Sequence, residues 1–365
     1  MAPEAVVVSF RLGGADGVAV EARKWAWALG ELGFEVRRVA GAIEDDGVDT
    51  DVVLPGLAIR TADDAVVDEA EIEAAVAGAD LVIIDNLCSL PLNVDAARAV
   101  ARVAERHRGR VLFRHHDLPW QRRHLAELGD ELPPRIDGAL HATINLRSRR
   151  ELQARGYAGA TTIHNFFDLD PRPGDRAATR AHFGFDDDAF VILQPSRAIE
   201  RKNVPGSVRL AAHLAHIMAN RSLQLWISGP AEDGYADTLA RIVDRSTVPV
   251  TVGRAPSVAD AYAACDLVAF PSTWEGFGNP VIESVAARRA CVAFPYPVLS
   301  EIVAAGVRCF STELPDVLIR FLAEPEARRD TYYDVNLRRA RVSYSLEELP
   351  RTIEQTFAAH GWTSW

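Results

Sequence analysis

Two carboxylates with a fixed spacing are the residues in this chain best placed for chemistry. Residues 270–283 read FPSTWEGFGNPVIE, so Glu275 and Glu283 lie on either side of a glycine turn, Gly276-Phe277-Gly278. The apolar run CDLVAFPS (265–272) before them is bounded by breakers and reads as a buried parallel strand. Asn279 has the character of an N-cap, and Pro280 suits the first helical position, where a missing N–H costs nothing. Glu283 then falls one turn into the helix. In open α/β sheets this end of a strand binds ligands, and helix-start N–H groups favour phosphate there. Carboxylates repel phosphate, so these two are better suited to gripping neutral hydroxyls. Acids that hold sugar hydroxyls beside a phosphate-friendly helix start describe a nucleotide-sugar site.

A complementary basic pair follows another strand, FVILQPS, in the stretch PSRAIERKN. Arg197 can fork onto two phosphate oxygens and Lys202 supplies a mobile point charge, a combination suited to a diphosphate. The chain has 40 basic residues, yet Lys24 and Lys202 are its two lysines, which sets Lys202 apart from a generic solvated loop. Near the start, residues 11–17 (RLGGADG) join the first strand to the first helix, and Gly13 and Gly14 would allow close approach of backbone to a phosphate or sugar. The loop is neither GxGxxG nor a Walker loop, and no GK[ST] occurs.

His115, His116 and Asp117 close the strand VLFRHH, whose alternation turns the two histidines to opposite faces. Arg114, Arg122, Arg123 and His124 surround them, a local basic patch able to focus an anionic ligand. No metal site is expected. His213 and His216 share a helix face without a third ligand, and Asp186, Asp187 and Asp188 precede a strand at the wrong sheet edge, as a solvated turn would.

The elements that must position these groups alternate. AVVVSF (5–10), an amphipathic helix from about Val18 to Leu32, FEVRRV, LVIIDN (81–86), GRVLFRHH (109–116), LHATINL (140–146) and ATTIHNF (160–166) form one βαβ series. DLDPRPGD reads as a linker. The rhythm restarts with FVILQPS (190–196), LQLWISG (223–229), VPVTVG (248–253), CDLVAFPS and RACVAFP (289–295), and the tail looks helical. A length of 365 residues accommodates two such α/β domains. No apolar stretch is long enough to span a bilayer and no basic-then-apolar signal opens the chain, so a cytoplasmic protein is expected. The four scattered cysteines, Cys88, Cys265, Cys291 and Cys309, suggest buried thiols. A net charge of −11 argues against nucleic acid and, less strongly, against anionic lipid.

The PSxxEGFGxPxxE stretch resembles the E-x7-E signature of family-4-type retaining glycosyltransferases (glycosyl transferases group 1), and the likeness extends over nearly the whole chain. It implies the GT-B architecture: two facing Rossmann-like, doubly wound domains. These are an acceptor-side domain over 1–168, a nucleotide-sugar domain over 169–345 and a last helix (346–365) crossing back, with the crossover beginning in SYSLEEL. It implies that Arg197 and Lys202 contact the donor diphosphate, Gly253 and Arg254 lie near the nucleobase, Glu283 accepts from ribose hydroxyls, and Glu275 with Gly276, Phe277 and Gly278 orients the hexose. Gly13 and Gly14 match the family's first glycine loop, and His116-Asp117 its histidine near the hexose. Residues 163–168 (IHNFFD) resemble the family's I-P-N-G-V-D, with His164 and Phe166 in place of Pro and Gly, which alters the local turn. The implied reaction moves a hexose from a nucleoside diphosphate sugar, a substrate rather than a cofactor, to a hydroxyl with retention. Asp117, Arg114, Arg122 and Arg123 are the candidates for a polar, anionic acceptor, favoured over a membrane lipid. A sugar-nucleotide epimerase, a phosphorylase or a non-catalytic sugar-nucleotide-binding protein share the architecture and remain alternatives.

Overall fold

A computed structural model describes residues 2–14, 16–45, 47–59, 66–218 and 221–363. The chain divides into two compact units, Met1–Phe166 together with Leu346–Trp365, and Phe167–Ser345.

The first unit runs β1 (Glu4–Leu12), α1 (Gly17–Glu31), β2 (Glu35–Ile43), β3 (Val52–Val53), α2 (Glu69–Val76), β4 (Leu81–Asp85), α3 (Val94–Arg106), β5 (Arg110–His115), β6 (Leu140–Thr143), α4 (Leu146–Ala154) and β7 (Thr161–Thr162). All pairings in its sheet are parallel, in the order β3-β2-β1-β4-β5-β6-β7. Strand alternation splits β1 between two cores. Val6 and Val8 pack with α2 and α3, whereas Ala5 and Val7 pack with Trp25 of α1. α1 starts where Asp16 Oδ1 accepts from the Val18 and Ala19 N–H groups, and it stops before Gly33 at φ 88°.

The second unit runs α5 (Arg176–Phe183), β8 (Phe190–Gln194), α6 (Val204–Ile217), β9 (Leu223–Ile227), α7 (Ala236–Asp244), β10 (Val250–Val252), α8 (Val258–Ala264), β11 (Leu267–Phe270), α9 (Asn279–Ala286), β12 (Ala290–Ala293), α10 (Leu299–Ala304), β13 (Phe310–Ser311), α11 (Pro315–Leu322) and α12 (Glu326–Tyr344). Its parallel sheet has the order β10-β9-β8-β11-β12-β13. Every residue of β8 and β11 is buried, and each large apolar side chain so placed contributes about 1.5–3 kcal/mol. The final helix, α13 (Leu349–Ala359), returns to the first unit, where Leu349, Ile353 and Phe357 fill the α1 side of the core.

Both sheets reverse winding direction beside their first strand, between β1 and β4 and between β8 and β11. Such switch points are where the loops leaving neighbouring strands diverge and leave room for a ligand. The edge strands β3 and β13, two residues each, carry too short a pattern to be read from sequence. No helix among the described residues is long and apolar enough to cross a membrane. Cys88, Cys265 and Cys291 are buried free thiols, and Cys309 is a partly buried one.

Candidate active site

In the second unit the switch point joins two loops distant in sequence. The loop after β8 carries Arg197, Arg201 and Lys202, and the loop after β11 carries residues 271–278. Backbone bonds hold them together: Thr273 N–H donates to Arg201 O at 2.9 Å, and Asn203 Nδ2 donates to Pro271 O at 3.1 Å. Asn203 sits at φ 51° and caps α6 through its Oδ1, accepting from Gly206 N–H at 3.2 Å. That cap turns the chain sharply after Lys202.

The result is a buried ion pair. Lys202 Nζ lies 2.5 Å from Glu275 Oε1, and Arg201 Nη1 lies 3.0 Å from Glu275 Oε2 and 3.0 Å from Trp274 O. The ammonium also lies 5.4 Å from the centroid of the Phe270 ring. Burial alone would push the Glu275 carboxyl up, but the charges of Lys202 and then Arg201 overcome it and hold the group below the usual range. Burial pulls Lys202 down from its ordinary value, opposed by Glu275. One carboxylate is thus shared by two cations, leaving a positive excess within this hydrogen-bonded group. Arg197 is more exposed and rests on Glu232 Oε2 at 2.6 Å.

The glycine turn after Glu275 is shaped from below. Gly278 has φ 111°, and a Cβ there would run into the Tyr296 hydroxyl, which donates to Phe277 O at 3.0 Å. Phe277 is buried against Phe167 and Tyr344. The sequence places Asn279 as the cap of α9, but it is the first helical residue and Gly278 takes the cap, because the left-handed turn has already ended. Glu283 is partly buried on α9 and accepts from the Tyr262 hydroxyl at 2.7 Å. Gly253 follows β10 against the Phe183 ring, its N–H donating to Ile227 O and its carbonyl accepting from Trp226 Nε1, while Arg254 is exposed.

In the first unit, the switch point holds a different network. Arg114 is buried and its guanidinium lies 3.2 Å from Asp85 Oδ2 and 3.4 Å from Glu21 Oε2, with Trp25 stacked at 4.9 Å. His116 Nε2 is 2.9 Å from Asp85 Oδ1, and Lys24 Nζ is 2.6 Å from Glu21 Oε1 and from Phe166 O. Burial would raise Asp85, but the charges of Arg114 and His116 bring it below its ordinary value. His115 points elsewhere, to the buried His141 at 3.0 Å. His164 Nδ1 approaches Ile144 O at 3.0 Å, and the carbonyl of Phe166 is the one Lys24 holds.

This geometry corrects two expectations. Arg114 does not belong to an exposed basic patch: it is buried between two carboxylates that consume its charge. Arg122 is paired with Asp117 at 3.0 Å, leaving Arg123 and His124 as the exposed members of that cluster, on 3-10 turns over Pro119–Gln121 and Arg123–Asp130. Gly13 and Gly14 do permit close approach, but to the side chains of Asp45 and Glu44. Arg38 and Arg11 pair with those carboxylates, and Arg23 donates to the carbonyls of Gly13 and Gly14. Sequence reasoning also missed Arg201, Tyr262, Tyr296, Glu21 and Asp85. Only Asp85, a carboxylate ending a fully apolar strand, carried a signal. Among the described residues no group of three or more His, Cys, Asp or Glu is arranged to hold a metal.

Two doubly wound α/β units, each built on a parallel sheet, are the architecture of the GT-B fold, which the structural neighbours share. Residues 175–334 match the family described as glycosyl transferases group 1. That match lies within the second unit. It is 24% identical to the mannosylglucosylglycerate synthase of Thermotoga maritima over 94% of this chain and 97% of that one. It is 34% identical to D-inositol 3-phosphate glycosyltransferase 1 of Catenulispora acidiphila over 40% of this chain and 38% of that one. The fold superposes on the Anabaena protein HepE, solved with UDP-glucose, with a TM-score of 0.73 at 18% identity, covering 98% of this chain and 99% of that one. For WaaG, a glycosyltransferase involved in lipopolysaccharide biosynthesis, the TM-score is 0.69 at 16% identity, covering 99% and 100%.

Proposed function

We propose that this glycosyltransferase moves a hexose from a nucleoside diphosphate sugar to a hydroxyl of a small polar acceptor, with retention of anomeric configuration and without a cofactor. The observation that carries the reading is the excess of cations around Glu275 at the switch point of the second unit, in a chain whose net charge is −11. An uncompensated cation there calls for an anion, and a diphosphate supplies one. Lys202, Arg197 and the N-terminal end of α9 stabilise charge developing on the departing diphosphate as the anomeric bond breaks. Glu283 accepts from the ribose hydroxyls, and Glu275 with residues 276–278 orients the hexose. The leaving phosphate takes the acceptor proton, so attack occurs on the face it vacates. The UDP-glucose bound by HepE supports a nucleotide-sugar donor. Glycerate carries a carboxylate and inositol 3-phosphate a phosphate, so the names of both relatives support an anionic acceptor.

Calorimetry with UDP-, GDP- and ADP-sugars tests the site. Arg197→Ala and Lys202→Ala should each weaken diphosphate binding by about 1.5–3 kcal/mol, the worth of a charge-assisted contact. Unchanged affinity in the double variant removes the site assignment. NMR of the early product tests the stereochemistry, and an inverted anomer refutes retention. Turnover without any acceptor, or only with inorganic phosphate, would reassign the enzyme as an epimerase or a phosphorylase.

A further inference from the structure

The nucleoside end of the site contains a residue that no part of the donor-site reading requires. Tyr262, on α8, is buried, and its hydroxyl donates to Glu283 Oε2 at 2.7 Å across to α9. Its own backbone is pinned. Arg289, just beyond α9, donates from Nε to Tyr262 O at 3.0 Å and from Nη2 to Ala263 O at 3.1 Å. Arg176 adds bonds to the carbonyls of Ala263 (2.8 Å), Ala264 (3.1 Å) and Cys265 (3.1 Å). The phenol is therefore a fixed point, held by two guanidiniums that grip the end of its helix. Glu283 is a partly exposed side chain with three rotatable bonds, and a fixed donor on one carboxylate oxygen selects its rotamer before any ligand arrives. Burial and the Glu283 charge keep the hydroxyl protonated far above neutral pH, so it remains a donor.

We propose that Tyr262 is a positioning residue that sets discrimination for ribose over 2′-deoxyribose by holding the Glu283 carboxylate in its accepting orientation. The inference rests on the donor-site reading of Glu283 and adds the element that makes that carboxylate selective. A carboxylate held in place grips the 2′-hydroxyl at a defined position, whereas a mobile one must be ordered during binding and loses part of that preference.

Calorimetry with UDP, GDP and ADP and their 2′-deoxy counterparts, on Tyr262→Phe, Glu283→Gln and the double variant, tests it. Tyr262→Phe keeps the buried ring and removes only the hydroxyl. We expect affinity for the ribonucleotide to fall roughly 5- to 10-fold with little change for the 2′-deoxy form, less than the more than roughly 10-fold loss from deleting a direct hydrogen bond to a charged group, because Glu283 itself remains. The double variant should bind as Glu283→Gln does, because the tyrosine acts through the glutamate. An equal fall for both nucleotides in Tyr262→Phe would mean general loosening and overturn the proposal, as would an unchanged ratio. If Glu283→Gln itself leaves the ribose preference intact, the role of Glu283 fails and the proposal falls with it. If Glu283→Gln narrows the preference and Tyr262→Phe does not, only the role of Tyr262 falls.

Discussion

The two switch points of this enzyme hold buried charge in opposite proportions. In the first unit, Glu21 and Asp85 are matched by Arg114 and Lys24, with His116 on the second oxygen of Asp85, so the permanent charges of the network cancel. In the second, among the described residues, Glu275 is the carboxylate paired with both Lys202 and Arg201. Buried groups that neutralise one another are already satisfied, and a ligand has little electrostatic gain to offer them. A partly buried cationic excess is held at a cost in solvation that an anion can relieve. The same position in two similar sheets is therefore built as an internal brace in one unit, while in the other it carries the charge that the proposed diphosphate site requires.

The largest expected effect separates these roles by stability. Arg114→Met leaves Glu21 and Asp85 buried without their shared partner and should lower unfolding free energy by about 3–5 kcal/mol. Lys202→Met should lower it less, because Arg201 still neutralises Glu275, while diphosphate binding weakens by about 1.5–3 kcal/mol. Urea titration of both variants measures the difference. Equal losses would mean that the second network is also a brace and would break the contrast.

The contrast was only half legible in the sequence. The strand–glycine–helix order around Glu275 and Glu283 is local, and periodicity and breakers were enough to place both carboxylates at a strand end. That Lys202 meets Glu275 depends on β8 lying beside β11, and 73 positions separate the two residues. Strand order is a tertiary choice that periodicity does not encode. Arg114 misled for a related reason. An arginine followed by two histidines suggests exposure, and nothing in the stretch VLFRHH announces that Glu21 and Asp85 will converge on it from α1 and β4. Tyr262 and Tyr296 act from behind the site, where a single sequence offers no spacing to read.

Acid sharpens the comparison further. In the first unit His115 and His141 are buried against each other, near His116 and His360, and both are pushed down by burial, His141 to about 3. Their ordinary value is 6.5. Below that pH the unfolded chain takes up protons that the folded pair refuses, so this stability is full above about pH 6.5 and is lost as pH falls towards the folded values. Glu275 is depressed from 4.5, so its contribution survives until the pH falls below that value. Between pH 6.5 and 5.5 the first unit should lose about 2 kcal/mol while the pair in the second is untouched. Hydrogen exchange should show β5 and β6 losing protection before β8 and β11. Loss in the reverse order would contradict the assignment of neutral histidines.

The smallest effect concerns the surface of the first unit. Arg122 and Asp117 form a pair that is only partly buried, with side chains 19% and 14% exposed, and Arg123 beside them is exposed. Removing Arg122 should change stability by no more than about 1 kcal/mol, as for most such pairs. Its effect on an anionic acceptor is limited by the same geometry, because Asp117 already offsets its charge. Arg123 has the larger solvent-facing field. If these residues meet the acceptor, Arg122→Ala/Arg123→Ala should raise the acceptor KM severalfold and leave kcat near its original value, the signature of lost uniform binding. Arg123→Ala alone should account for most of the change. An unchanged KM in the double variant would remove the arginines of this cluster as acceptor contacts, since Arg114 is committed to its two carboxylates. Acceptor recognition would then rest on residues outside this cluster, and the contrast between a charge-balanced first switch point and a cationic second one would stand unchanged.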